Sequence, residues 1–156
     1  MFCWYLNNKV GIYFNELPHV GVRYYIPSMT LEEKKSIEKY PFICKKELEV
    51  CLKDLKKNMQ YKFKIPKGYC YDGASIPRMF WRVIGSNTDN RYLIPALIHD
   101  ILCEHHEYVN NDRSFSTNIF NALLECSKVG RFKRFFMKNS VACYQTIFCK
   151  WRKQIS

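Results

Sequence analysis

The segment IPKGYCYDGASIPRMFW, from Ile65 to Trp81, places a carboxylate, a hydroxyl and a guanidinium close together in the chain as Asp72, Ser75 and Arg78. A β-rich run leaves through Pro66 and Gly68, and Pro77 suits the first position of a new helix. The intervening loop can therefore present Asp72 and backbone N–H groups at one point. A second segment, HDILCEHH from His99 to His106, puts His99, Cys103 and His106 at i, i+4 and i+7 of a helix, with Asp100 one step round. Neutral His99 would act there as general base on a water, with Asp72 or Asp100 orienting it or holding a cation. The catalytic candidates are His99, Asp100, Asp72, Ser75 and Arg78. Asp72 and His99 are the candidate ligands of a divalent cation, and His99, Cys103 and His106 form a set whose nitrogen and sulfur donors suit zinc. The plainer reading of the same residues is structural: Asp72 or Ser75 caps a turn, Arg78 pairs with a buried carboxylate, and His99 is a hydrogen-bonded core side chain.

These residues need a scaffold, and the periodicity of the chain supplies one. Aromatic and β-branched residues around Val10 to Phe14 and Val22 to Ile26 predict two strands joined as a hairpin by NELPHVG. Thr30 followed three positions on by Glu33 predicts a capped helix that ends before Pro41. Leu48, Val50 and Leu52 alternate with polar neighbours, as do Tyr61, Phe63 and Ile65, and both runs predict strands. Beyond Gly73 the pattern becomes helical: about Asn90 to Glu104, about Asp112 to Cys126, then a last helix of about 20 residues after Gly130. On that last helix Phe132, Phe136, Cys143, Ile147 and Trp151 are expected to share the core face. The expected architecture is a single α+β domain over 1–156. Strands with one short helix fill 1–66, the DGASIPR loop fills 67–89, and the helical half fills 90–156. A small antiparallel sheet packs against three or four helices.

Composition narrows the classes further. The 156 residues are 47% hydrophobic, enough for an ordinary core, and their 25 Lys and Arg against 14 Asp and Glu leave a net charge of +11. Such an excess attracts nucleic acid or an acidic host protein. RFKRFF interleaves cations with aromatics that can stack on bases, so Arg131, Lys133 and Arg134 are the candidate binding residues. An amphipathic core helix with a basic outer face is the competing account of that segment. Eight cysteines without a CxxC pair, in a chain opening without a secretory signal, indicate free thiols, with Cys126 and Cys143 as small core residues. The longest apolar run, Tyr92 to Cys103, is too short to span a bilayer. GxSxG, P-loop, GxGxxG and HExxH motifs are absent from the sequence.

Taken together, KGYCYDGASIPRMFW, IPALIHDILC and NDRSFSTNIFNALL resemble a tailed-phage and prophage family catalogued as domain of unknown function 1353. Its pattern runs PxGFxTDGASIPRxFW, then HDxLY, then an Arg followed by Ala-Asp. The resemblance covers roughly residues 61–126 and implies a polar cluster of Asp72, Ser75, Arg78, His99, Asp100 and Arg113. Tyr71 replaces the family's Thr, Cys103 its Tyr, and Ser116-Thr117 its Ala-Asp, so a carboxylate is missing from the third motif. The implied role is a phage accessory protein of uncharacterised activity in the cytoplasm of a bacterial host; as an enzyme, it would use its His-Asp pair for metal-assisted hydrolysis. The alternatives are a non-enzymatic factor that binds a host protein, such as a defence-system component, or nucleic acid, and a component of the virion.

Overall fold

The computed structural model describes residues 1–73 and 90–147. Ser75, Arg78, the helical turn expected after Pro77, and Trp151 lie outside the described residues. Four strands, β1 (Phe2–Leu6), β2 (Val10–Phe14), β5 (Leu48–Asp54) and β6 (Met59–Ile65), form an antiparallel sheet in the order β1-β2-β5-β6. A second antiparallel sheet has the order β3-β4-β7, from Val20–Val22, Phe42–Cys44 and Cys70–Tyr71. Helix α1 is Leu31–Lys39. The C-terminal half holds α2 (Asn90–Glu104), a 3₁₀ turn (His106–Val109), α3 (Arg113–Cys126) and α4 (Arg131–Ile147). The fold is α+β.

Local chemistry accounts for most of these elements. Thr30 caps α1 by accepting from the Glu33 N–H at 3.2 Å while Glu33 accepts from the Thr30 N–H at 2.7 Å, the reciprocal box the sequence predicts. Strand β6 keeps its period of two, with Tyr61, Phe63 and Ile65 buried and their neighbours exposed. Strand β5 is central and buries Cys51 and Asp54 as well as Leu48, Val50 and Leu52. Asp54 closes the β5–β6 turn by accepting from the Lys56 and Lys57 N–H groups at 3.1 and 3.2 Å. The helices start and stop close to the expected positions, α3 being capped by Asp112, which accepts from the Phe115 N–H at 2.9 Å.

Three expectations are corrected. The hairpin is β1–β2, not Val10–Phe14 with Val22–Ile26. The Asn7 side chain organises its turn by accepting from the N–H groups of Lys9 and Val10. Strand β3 ends at Val22 and pairs with β4 in the second sheet, while Tyr24 to Ile26 are exposed and outside any strand. The core face of α4 is Met137 and Val141, fully buried, with Phe136 half-buried against it; Phe132 is 65% exposed and Cys143 is also exposed. Cationic and aromatic residues alternate along the start of this helix, so the spacing was compatible with more than one face, and packing against α3 selected between them.

A continuous cluster of buried side chains draws on both sheets and on α2, α3 and α4. It includes ring pairs between sheet and helix, Tyr61 with Phe115 at 5.3 Å and Phe63 with Tyr108 at 5.0 Å. Such pairs add about 1 kcal/mol each beyond area burial. The corrected face of α4 has a direct test in urea unfolding. Met137→Ala should cost about 2–5 kcal/mol, whereas Phe132→Ala should stay within about 0.5 kcal/mol of the parent. Equal losses from both would contradict the assignment.

Candidate functional site

Strand β7 delivers Asp72 to the first helix of the C-terminal half. Tyr71 is buried and its hydroxyl donates to the Leu93 carbonyl of α2 at 3.0 Å, fixing the strand end against that helix. Gly73 follows with φ of 87°, a left-handed conformation that glycine adopts at little cost. On α2, His99 and Cys103 share a face and Asp100 lies on the adjacent stripe, as the helical spacing requires.

The two expected groups converge. The carboxyls of Asp72 and Asp100 meet within hydrogen-bonding reach, and Asp100 Oδ1 lies 3.4 Å from His99 Nδ1. The Asp100 side chain is only 12% exposed, and its Oδ2 is buried with no conventional donor among the described residues. Burial raises the Asp100 pKa well above the usual carboxylate range; hydrogen bonding and repulsion from Asp72, and repulsion from Glu104, act in the same direction. Two ionised carboxylates in contact repel, which favours a proton on Asp100. His99 is 3% exposed, and burial lowers its pKa to about 4 against the opposing pull of Asp72. Its ring packs on Phe120 of α3 with centroids 5.1 Å apart, and Cys103 Sγ stands 3.5 Å from Nε2. Burial therefore favours the neutral imidazole of His99 and shifts the Asp100 carboxyl towards its protonated form. Environments that push two titratable groups apart in this way define an acid and a base.

Tyr69 belongs to the same neighbourhood and was not among the expected residues. Its hydroxyl is buried, and burial raises its pKa, helped by the charges of Glu104 and Asp100 and by hydrogen bonding to Glu104. Its place one alternation before Tyr71 was the available signal, since i and i+2 share a strand face.

Other expectations fare differently. Helix α2 stops at Glu104 and His106 starts the 3₁₀ turn, so the i, i+4, i+7 face of His99, Cys103 and His106 is not continuous helix. Among the described residues, no group of three or more His, Cys, Asp and Glu side chains is placed to hold a metal ion. Arg113 is half-buried at the start of α3. Ser116 and Thr117, which replace the family's Ala-Asp, are both buried; Thr117 donates to the Arg113 carbonyl at 3.0 Å, and Ser116 Oγ has no partner among the described residues. Arg131 is exposed, Lys133 half-exposed, and Arg134 lies 3.7 Å from Glu125 with 19% of its side chain exposed. Among the described residues, no helix is long and apolar enough to cross a membrane.

An α+β scaffold that brings a strand-end carboxyl onto a helical His-Asp pair is the class that fold and site define. The family described as protein of unknown function DUF1353 matches residues 48–141, and the chain belongs to it. The chain is also 46% identical over 43 residues to the protein y4jT of Sinorhizobium fredii (strain NBRC 101917 / NGR234), printed as uncharacterized. That match takes in 28% of this chain and 13% of y4jT, so the chain spans a small part of its relative. No solved structure matches.

The opposed shifts give a signed prediction. A histidine with a lowered folded pKa contributes stability above its unfolded value near 6.5, lost as pH falls towards about 4. A carboxyl with a raised folded pKa contributes stability below its unfolded value near 3.9, lost as pH rises through the folded value. Asp100→Asn should therefore be more stable than the parent at neutral pH and should expose a loss of about 3 kcal/mol between about pH 6.5 and about pH 4. His99→Gln should leave the opposite slope. Urea midpoints measured across that range check both, and profiles parallel to the parent's would contradict the assigned protonation states.

Proposed function

We propose that this chain is a phage- or prophage-encoded accessory hydrolase whose working groups are His99 and the Asp72–Asp100 carboxyl pair. The observation that supports this reading is the meeting of the Asp72 and Asp100 carboxyls beside the buried His99 ring, where burial favours the uncharged form of both Asp100 and His99. The phage setting rests on the resemblance of the DGASIPR and HD motifs.

The steps follow from the two protonation states. Water enters beside Asp72, which is half-buried, and gives a proton to His99 as its oxygen attacks the acyl or phosphoryl centre of the substrate. The proton between Asp72 and Asp100 passes to the leaving group. The imidazolium is then next to a newly charged carboxylate, and returning its proton to the pair restores the starting state. General acid–base assistance of this kind contributes about 10²- to 10⁴-fold each way. Tyr69, protonated and facing the same carboxyls, is placed to donate to a developing negative charge.

Two chromogenic probes test the reading, p-nitrophenyl acetate for acyl transfer and bis(p-nitrophenyl) phosphate for phosphoryl transfer. The parent should turn over one of them, and His99→Ala and Asp100→Asn should each lower kcat by about 100-fold or more while near-ultraviolet circular dichroism stays unchanged. Turnover retained in folded variants, or no turnover of either probe by the parent, would overturn it.

A further inference from the structure

On a different face of the molecule, the β1–β2 turn meets α3 and α4 across a polar cleft of about 240 Å³ lined by Tyr5, Asn8, Lys9, Asn118, Asn121 and Lys138, among others. A second cleft of about 150 Å³ shares Lys9 and Asn118 with the first and adds Lys56 and Lys57. The shared walls make one continuous groove. Its acidic groups are already engaged: Asp112 with Lys57 at 2.6 Å, Glu125 with the Tyr5 hydroxyl at 2.7 Å and with Arg134 at 3.7 Å, and Asp54 with two turn N–H groups. Lys9, Lys56 and Lys138 make no ion pair among the described residues, which leaves the groove positive within a chain of net charge +11.

The groove runs onto exposed aromatic surface. Lys138 follows Phe135 by three residues on α4, and Phe135 follows Phe132 by three, so the three side chains are surface neighbours along the helix. Phe132 and Phe135 are 65% and 64% exposed, and each rests against Phe136, at 4.8 and 6.1 Å between ring centroids. Apolar rings held in place but left open to solvent are costly unless they have an occupant, and rings beside spaced cations match the chemistry of unstacked bases on a phosphate backbone. A duplex would satisfy the lysines and the asparagine amides but would hide its base faces from the rings.

We propose that this groove and the Phe132–Phe135 pair form a binding track for single-stranded nucleic acid, with phosphates along Lys9, Lys56 and Lys138 and bases stacked on the two rings. The track shares no residue with the Asp72–Asp100–His99 centre, so it stands whether or not that centre hydrolyses anything. Fluorescence anisotropy of a labelled oligothymidylate provides the test. The full chain should bind it, and Phe132→Ala and Phe135→Ala should each weaken binding by about fivefold or more. These exposed positions leave the core untouched. Lys9→Gln and Lys138→Gln should each reduce the slope of log affinity against log salt by about 0.7, while Lys35→Gln on α1 leaves affinity and slope unchanged. Three results would overturn the proposal: no binding at low salt, tighter binding of a duplex of the same length, or phenylalanine variants that bind as the parent does. The last would reduce the surface to general attraction by net charge.

Discussion

The structure around the candidate centre depends on one constraint: the Asp100 carboxyl is buried against the carboxyl of Asp72, and two negative charges cannot share that space. This favours the protonated form of Asp100, and the surrounding elements hold the two carboxyls together. The Tyr71 hydroxyl bonded to the Leu93 carbonyl holds the end of β7 on α2. Gly73 takes the left-handed conformation directly after Asp72. Phe120 of α3 packs on the His99 ring, and burial there disfavours the imidazolium form. Holding a carboxyl neutral and an imidazole uncharged costs the folded state stability that a plain apolar packing would have kept, and such arrangements concentrate where groups are set for proton transfer.

The family match begins at β5 and continues into α4. That stretch contains β5, β6, β7, α2 and α3, and with them Asp72, His99, Asp100 and the Phe120 lid over the imidazole. The residues before it contribute β1 and β2 to the larger sheet and β3, α1 and β4 beside β7. The carboxyl pair lies wholly within the matched stretch, whereas the lysine groove joins Lys56 and Lys138 from that stretch to Lys9 of the β1–β2 turn outside it.

How much the sequence revealed depended on how local the cause was. The capping box at Thr30, the alternation in β6 and the bounds of α2 and α3 are set by neighbours in the chain, and each was readable. The β1–β2 hairpin was not, because its turn depends on the Asn7 side chain accepting two N–H groups rather than on a glycine or proline signal. The pairing of β3 with β4 spans α1, and nothing in VGV alone specifies it. On α4, Phe132 and Met137 are both apolar, and only contact with α3 buries the second and leaves the first exposed. The site followed the same rule. The DG and HD motifs marked Asp72, His99 and Asp100 individually, but their meeting is a tertiary fact, and Tyr69, though inside the first motif, is brought to them by the same tertiary packing.

Carbon-13 NMR titration of the aspartate carboxyl carbons, with Asp100 assigned by its loss in Asp100→Asn, measures the protonation state on which this account rests. The account predicts that Asp100 keeps the chemical shift of a protonated acid at neutral pH while the His99 ring nitrogens report a neutral imidazole. An Asp100 signal that titrates with an ordinary aspartate value near 3.9 would contradict it.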